Sequence, residues 1–459
     1  MKKNITLLFT LLLTGLVGFS QSEECNTKIS LFHEDVRADR FDQAYDNWMF
    51  VRTNCPDANL VTYIDGEKIL EHKIEKAASN ADKKAFIEDL MKLYDERMQH
   101  FADKTPKGVF ATKSCQLMYD NREVLGKTDL ELYECFDAAY NADKATFTNP
   151  KSLYTYFSLM VDLYDAGQKP AEDLFNKYDD VAEKVEEEVK INSEKLNELI
   201  EKEEAGTELT RREGLYKRQY ESFLRVFDQV AGSMDTKLGS RANCENLIPL
   251  YEKNFEANKT NAVWLQRAAA KMSEKECTGD PLFFKLVNAL HELNPSANSA
   301  YYLGILKDRE GKSNEAIEFY EQAISLQTDN FEKAKLYSRI ADKLKASGNF
   351  SKARSYYKDA LKFNPSNGRP YLQIADMYAK SANNCGDTEF NKRAVYWLAA
   401  DEARKAGRVD PTLAGRSKQY VDSYMERAPS KDMIFNASVD GQTINIGCWI
   451  GASVTVPNL

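Results

Sequence analysis

Apolar residues recur at steps of three and four along most of the chain, the spacing that places them on one face of a helix. Between about 60 and 168 the stretches Phe86-Leu90-Leu93-Tyr94 and Tyr154-Phe157-Met160-Val161-Tyr164 show this plainly. From 171 to 232 the stripe lengthens. Leu174, Tyr178, Val181, Val185, Val189, Leu196 and Leu199 run amid dense Glu and Lys. After Ala205-Gly206, Thr210 and Glu213 have the spacing of a capping box. Tyr216, Tyr220, Phe223, Phe227 and Val230 then resume the heptad spacing. This predicts two long antiparallel helices, coiled-coil-like, as a charged hairpin over 169–235. It is either an overlong helical pair within the main array or an arm that projects towards a partner. Past Pro411 one more helix, Leu413 to Arg427, precedes a change of period. Met433 to Val439, Thr443 to Ile450 and Ala452 to Val456 alternate like short strands, with Asp440-Gly441 as a turn. A small β-cap is expected there.

A second periodicity is superimposed on the first near residue 297. Leu303-Gly304 is followed by Gly311, Ala316, Tyr320 and Ala323. Tyr337, Ile340-Ala341, Gly348, Ala353, Tyr357, Ala360 and Pro365 stand at the same offsets in the next unit. Tyr371, Ile374-Ala375 and Tyr378 open a third, which closes after an insertion with Ala399, Ala403, Ala406 and Pro411. Antiparallel helices approach closely only where small residues meet at the crossing. Gly304, Ala341 and Ala375 are therefore expected to face Ala316, Ala353 and Ala399. Gly311 and Gly348 fall at the turns, where positive φ costs a glycine little.

These residues resemble the tetratricopeptide repeat, with its aromatic, Leu-Gly, Tyr, Ala, aromatic, Ala and Pro pattern. Weaker copies reach outward. Phe283, Val287, Leu290 and Pro295 would close a unit beginning near Trp264, and Leu31-Phe32, Ala44, Trp48, Val51 and Pro56 fit one at the N-terminus. The resemblance implies an all-α, tetratricopeptide-like helical-hairpin solenoid, with the long charged hairpin as an insertion and the β-cap covering its open end. The expected division is degenerate helical repeats over 21–168, the hairpin over 169–235, the array over 244–411, and a capping helix with β-hairpin over 412–459.

The first residues change the setting. Lys2 and Lys3 precede an apolar run from Leu7 to Phe19, and Gly18 and Ser20 are small residues at the expected cleavage positions. Residues 1–20 therefore read as a secretory signal peptide. No later segment approaches a membrane span, so no transmembrane span is expected in the mature chain. The eight cysteines are even in number and, in an oxidising compartment, are expected to form disulfides. They permit 105 connectivities, and the repeat model selects one: Cys25 with Cys55, Cys115 with Cys135, Cys244 with Cys277, and Cys385 with Cys448. The last pair would staple the cap to the array. The insertion, Ala394 to Asp401 and Gly447-Cys448-Trp449-Ile450 resemble an ending seen in envelope tetratricopeptide proteins of the Bacteroidetes type. Here the tail finishes Thr455-Val456-Pro457-Asn458-Leu459 rather than Thr-Val-Arg, so no role of a terminal Arg is carried over.

Chemistry is sparse. No His among His33, His72, His100 and His291 stands three or four residues from another His or a Cys, and no CxxC pair occurs, so no metal site is expected. There is no GxSxG elbow, Walker loop or Gly-rich dinucleotide turn, so no cofactor and no catalytic residue is assigned. A net charge of −9 argues against nucleic acid as a partner. The resemblance instead places a partner groove on the first helix of each pair. It would be lined by Asn298, Tyr301, Ile305 and Asp308, then Lys335, Ser338, Asp342 and Lys345, then Arg369, Leu372, Asp376 and Ala379. Apart from Lys335, the Lys/Asn clamp that some members use for a C-terminal carboxylate is lacking. The expected function is a periplasmic protein-binding scaffold or adaptor of an envelope complex, with other envelope or exported proteins as partners. A periplasmic holdase or secretion accessory protein is the alternative, and a cell-wall or glycan hydrolase the third.

Overall fold

The computed structural model describes residues 23–458; the expected signal peptide lies outside them. The described chain is predominantly helical, with a two-stranded antiparallel sheet at its C-terminal end. It divides into two units, 1–174 and 175–459.

The first unit begins with a helix over 23–37 (α1), then α2 (Phe41–Asn54), α3 (Val61–Lys76), α4 (Asn80–His100), α5 (Lys107–Asp120), the short α6 (Arg122–Leu125), α7 (Asp129–Ala142) and α8 (Pro150–Asp165). Its N-terminal core gathers Phe32, Val36, Ala44, Trp48, Val51 and Tyr63, all buried; Leu31, beside Phe32, faces outward. Trp48 donates its indole N–H to the carbonyl of Thr62 at 2.8 Å. Gly66 faces that indole so closely that a Cβ there would stand 2.5 Å from its nitrogen. Arg52 is buried between α2 and α4 and paired with both Asp89 (2.8 Å) and Glu96 (2.7 Å). A buried guanidinium persists only with such counter-charges.

The long hairpin follows. Helix α9 (Ala171–Glu204) and α10 (Arg211–Leu238) run antiparallel, because contacts early in one meet residues late in the other. Tyr178 donates its hydroxyl to Asp235 at 2.6 Å. Lys195 lies over the Tyr220 ring, and at the tip Lys202 meets Glu213 while Lys217 meets Glu203. The capping box of Thr210 and Glu213 forms, each side chain bonding the other's backbone N–H.

Pairs of helices then succeed one another: α11 (Cys244–Asn258), α12 (Ala262–Glu274) with α13 (Pro281–Leu293), α14 (Ala297–Arg309) with α15 (Ser313–Leu326), α16 (Asn330–Ala346) with α17 (Phe350–Phe363), and α18 (Arg369–Cys385) with α19 (Glu389–Val409). Ala316, Ala341, Ala353, Ala375 and Ala399 are buried, as close crossings require. Gly311 and Gly348 take φ of 74° and 80° at the turns between α14 and α15 and between α16 and α17. At the first crossing the atoms nearest Gly304 are those of the Tyr320 ring, 2.3 Å from where a Cβ would stand.

The C-terminal region corrects one expectation. After α20 (Ala414–Arg427), residues Lys431–Ala437 are a helix, α21, not a strand. Ser430 caps it by accepting from the Met433 N–H, and Ser438 in the left-handed region ends it. Seven residues are too few for either period to declare itself, and the cap decides. The strands are β1 (Thr443–Ile446) and β2 (Ala452–Thr455), in register Thr443 to Thr455, and their turn is 447–451 rather than Asp440-Gly441. Trp449 in that turn anchors the sheet to the array: its indole N–H donates to Ser381 at 2.9 Å, and its ring meets Phe350 and Tyr378. The four disulfides are Cys25–Cys55, Cys115–Cys135, Cys244–Cys277 and Cys385–Cys448, the pairing the repeat model selects.

Candidate partner groove

The face carried by the first helices of successive pairs already seats a helix, and that helix is α9 of the same chain. Its contacts fall at 179/180, 183, 186, 190 and 197, one stripe at helical spacing. Asp179 lies 3.7 Å from Lys271. Arg267 on α12 reaches Asp180 at 3.0 Å and Glu183 at 2.7 Å. Glu186 meets Lys335 on α16, and Lys190 meets Asp329, the N-cap of that helix. Asn197 donates to Asn364 at 3.2 Å and accepts the Ser366 N–H at 3.0 Å. From α10, Asp228 pairs with Arg369 at the start of α18, at 2.6 Å.

The expected groove residues separate into two sets. Lys335 and Arg369 contact the hairpin. The others are occupied within the array or line its interior. Tyr301 and Ile305 are buried, with the Tyr301 ring against Tyr302 and Tyr320. Leu372 is buried, and Asn298 and Ser338 are half-buried. Asp308 accepts the Tyr320 hydroxyl and Asp342 that of Tyr357. Lys345 bonds Asp376 and Gln373, stitching α16 to α18. Arg267, Lys271, Asp329, Asn364 and Ser366 escape the sequence reading, as does the role of the acidic stripe on α9. The stripe itself was visible as carboxylates at helical spacing. What it faces was not, because its partners lie 84 to 169 residues further along the chain.

Burial and charge shape this contact. Burial pushes Asp179 up to about 6, against the cations Lys271 and Arg267 that hold it down. Lys335 is shifted the other way. Burial and then the neighbouring Arg339 lower it to about 7, and its amine touches the Glu186 carboxylate. The Glu183 carboxylate raises Arg267 further above its usual range, so it stays charged. Between the hairpin and the array a cavity of about 430 Å³ remains, walled by Val185, Val189, Leu224, Phe227, Met234 and Phe331. Nearer the tip of α10, Leu215 (53% exposed), Tyr216, Phe223 and Val226 lie open to solvent among the exposed Arg211, Arg218 and Arg225.

Residues 297–330 and 334–367 each match the tetratricopeptide repeat family. The photosystem I assembly protein Ycf3 of Cyanophora paradoxa is 33% identical over 110 residues, 22% of this chain and 64% of that protein. Among solved structures, the human IFIT1 dimer with m7Gppp-AAAA aligns with TM-score 0.33 at 15% identity, over 77% of this chain and 71% of that one. The yeast Tom70 aligns with TM-score 0.25 at 14% identity, over 82% and 84%. Two tetratricopeptide repeats therefore stand at 297–367, within a run of helical pairs of the same build.

Proposed function

We propose that this chain is a protein-binding scaffold or adaptor, exported and serving a complex of the cell envelope, of the Bacteroidetes-type group its C-terminal segment resembles. The observation that carries the reading is the helix-on-groove contact: a face made from successive first helices holds a helix by a ladder of side-chain pairs. Tetratricopeptide repeats generally serve as scaffolds rather than catalysts. Similarity over part of the chain to an assembly protein agrees with a role in assembly. The export half of the reading draws on the four disulfides and the signal-like first 20 residues. Among the described residues no helix is long and apolar enough to cross a membrane.

Cross-linked native envelopes carrying a tagged copy provide the test. A small set of co-purifying proteins in fixed ratio is expected; no enrichment over an untagged strain would overturn the scaffold. The open apolar face of α10 favours a second reading, a holdase for exported clients. A broad client set, together with a polarity-sensitive dye that brightens on the folded protein and loses its signal in F223S/V226S, would establish that one instead.

A further inference from the structure

We infer that the groove is a receptor for an acidic amphipathic helix of a partner, and that α9 is its built-in, displaceable occupant. The inference rests on the binding-protein reading above and names the class of ligand.

The receptor's chemistry is set by Arg267 and Lys271 on α12, Lys335 on α16 and Arg369 on α18, so cations stand on three of the first helices along the inner face. Every one of them is met by a carboxylate of the hairpin. A ligand that replaces α9 must answer the same row, with acids at i, i+3 or i+4, and i+7 of one helical face. Of the apolar walls of the space beneath the hairpin, Phe331 belongs to the array and would remain to receive its apolar side chains.

Displacement is physically accessible because of how α9 is held. Lys271 is buried and Asp179 nearly so, but the pairs further along are partly open to water: Glu183 and Glu186 keep 48% and 44% of their side-chain exposure. Exposed pairs of this kind each hold weakly and exchange partners readily. The contact also leaves a cavity of about 430 Å³ beside the buried Val185, Phe227 and Met234. The hairpin's own links, Tyr178 to Asp235 and Lys202 to Glu213, lie within the hairpin and do not depend on the array. It can therefore leave the groove without coming apart.

The probe is a fluorescein-labelled synthetic peptide of this chain's residues 177–201, which carries the stripe in trans. It is titrated by fluorescence anisotropy against the full-length oxidised protein and the full-length D180K/E183K variant, whose α9 is repelled by Arg267. The expected result is at least tenfold tighter binding to the variant than to the unaltered protein. A same-composition scrambled peptide should lose that binding. Equal affinities for the two proteins, or equal binding of the scrambled peptide, would overturn the proposal. Should the variant fail to fold, hydrogen exchange on the unaltered protein takes its place. Saturating peptide is expected to speed exchange across 177–200, and unchanged protection there would overturn it equally. None of these readouts involves a cellular partner, so failure here leaves the scaffold reading to its own test.

Discussion

Glycine and tyrosine show how one atom redirects a contact. At Gly304 the Tyr320 ring lies against the backbone of α14, and its hydroxyl reaches Asp308 one turn further on. At the equivalent crossing Ala341 carries a methyl where that ring would rest, and Tyr357 turns instead to Asp342. Gly66 is the same device in the first unit, admitting the indole of Trp48. A methyl at Gly66 has nowhere to go, because Trp48 is fully buried and tied to Thr62. Overpacking of this kind costs roughly 1–3 kcal/mol. G66A should lower the melting temperature of the first unit, followed by tryptophan fluorescence, while G126A, whose Cβ meets nothing, should leave the Trp48 environment unchanged. The Gly304 crossing was legible in the sequence as a small residue at a repeat position. That its neighbour would be Tyr320 was not, because the motif fixes spacing and leaves the rotamer of the facing aromatic open.

Among elements, the α9–α10 hairpin was the most readable and the 431–437 segment the least. Thirty-odd residues of unbroken period, a glycine and a capping box leave few alternatives for the former. Seven residues leave two for the latter, and a single serine cap chooses between them. At the hairpin tip Glu213 is held down to about 2, first by Lys202 and then by the Thr210 hydroxyl and backbone N–H. Its folded pKa lies below the ordinary 4.5, so its contribution is complete above pH 4.5 and is lost as pH falls through 2. Protection of the tip amides should therefore exceed that of E213Q at pH 6, and the two should converge by pH 2. T210A should loosen the same turn at neutral pH by about 1 kcal/mol, read as lost protection over 205–215 with the array unaffected.

At the scale of the whole molecule the repeats were legible and their occupancy was not. A tetratricopeptide pattern encodes how each helix packs on its neighbour. It carries no term for a segment 84 to 169 residues earlier lying across the assembled face. The exposed pairs there are separately weak, and the seat is made by their sum together with the buried Lys271–Asp179 pair and apolar side chains of the hairpin. The cap is held differently, by Trp449 and by Cys385–Cys448, which closes 63 residues. A bridge of that span is worth about 2–4 kcal/mol. C385S/C448S should lower the denaturation midpoint of the second unit accordingly and expose Trp449, seen as a red-shifted emission. An unchanged midpoint and emission would mean that Trp449 alone suffices.

The order of the cysteines carries a further consequence for how the chain is made. Every bridge joins a cysteine to the next one along: first with second, third with fourth, fifth with sixth, seventh with eighth. A chain threaded N-terminus first into an oxidising space would present its thiols in that order. Each could then be sealed by the next to emerge, and correct connectivity would follow from timing alone, without reshuffling. The first three bridges close within 20 to 33 residues, but the last spans 63 and waits for α19, α20 and α21 to follow Cys385. The α18–α19 pair would then stay unlocked until the turn that carries Cys448 has followed it out.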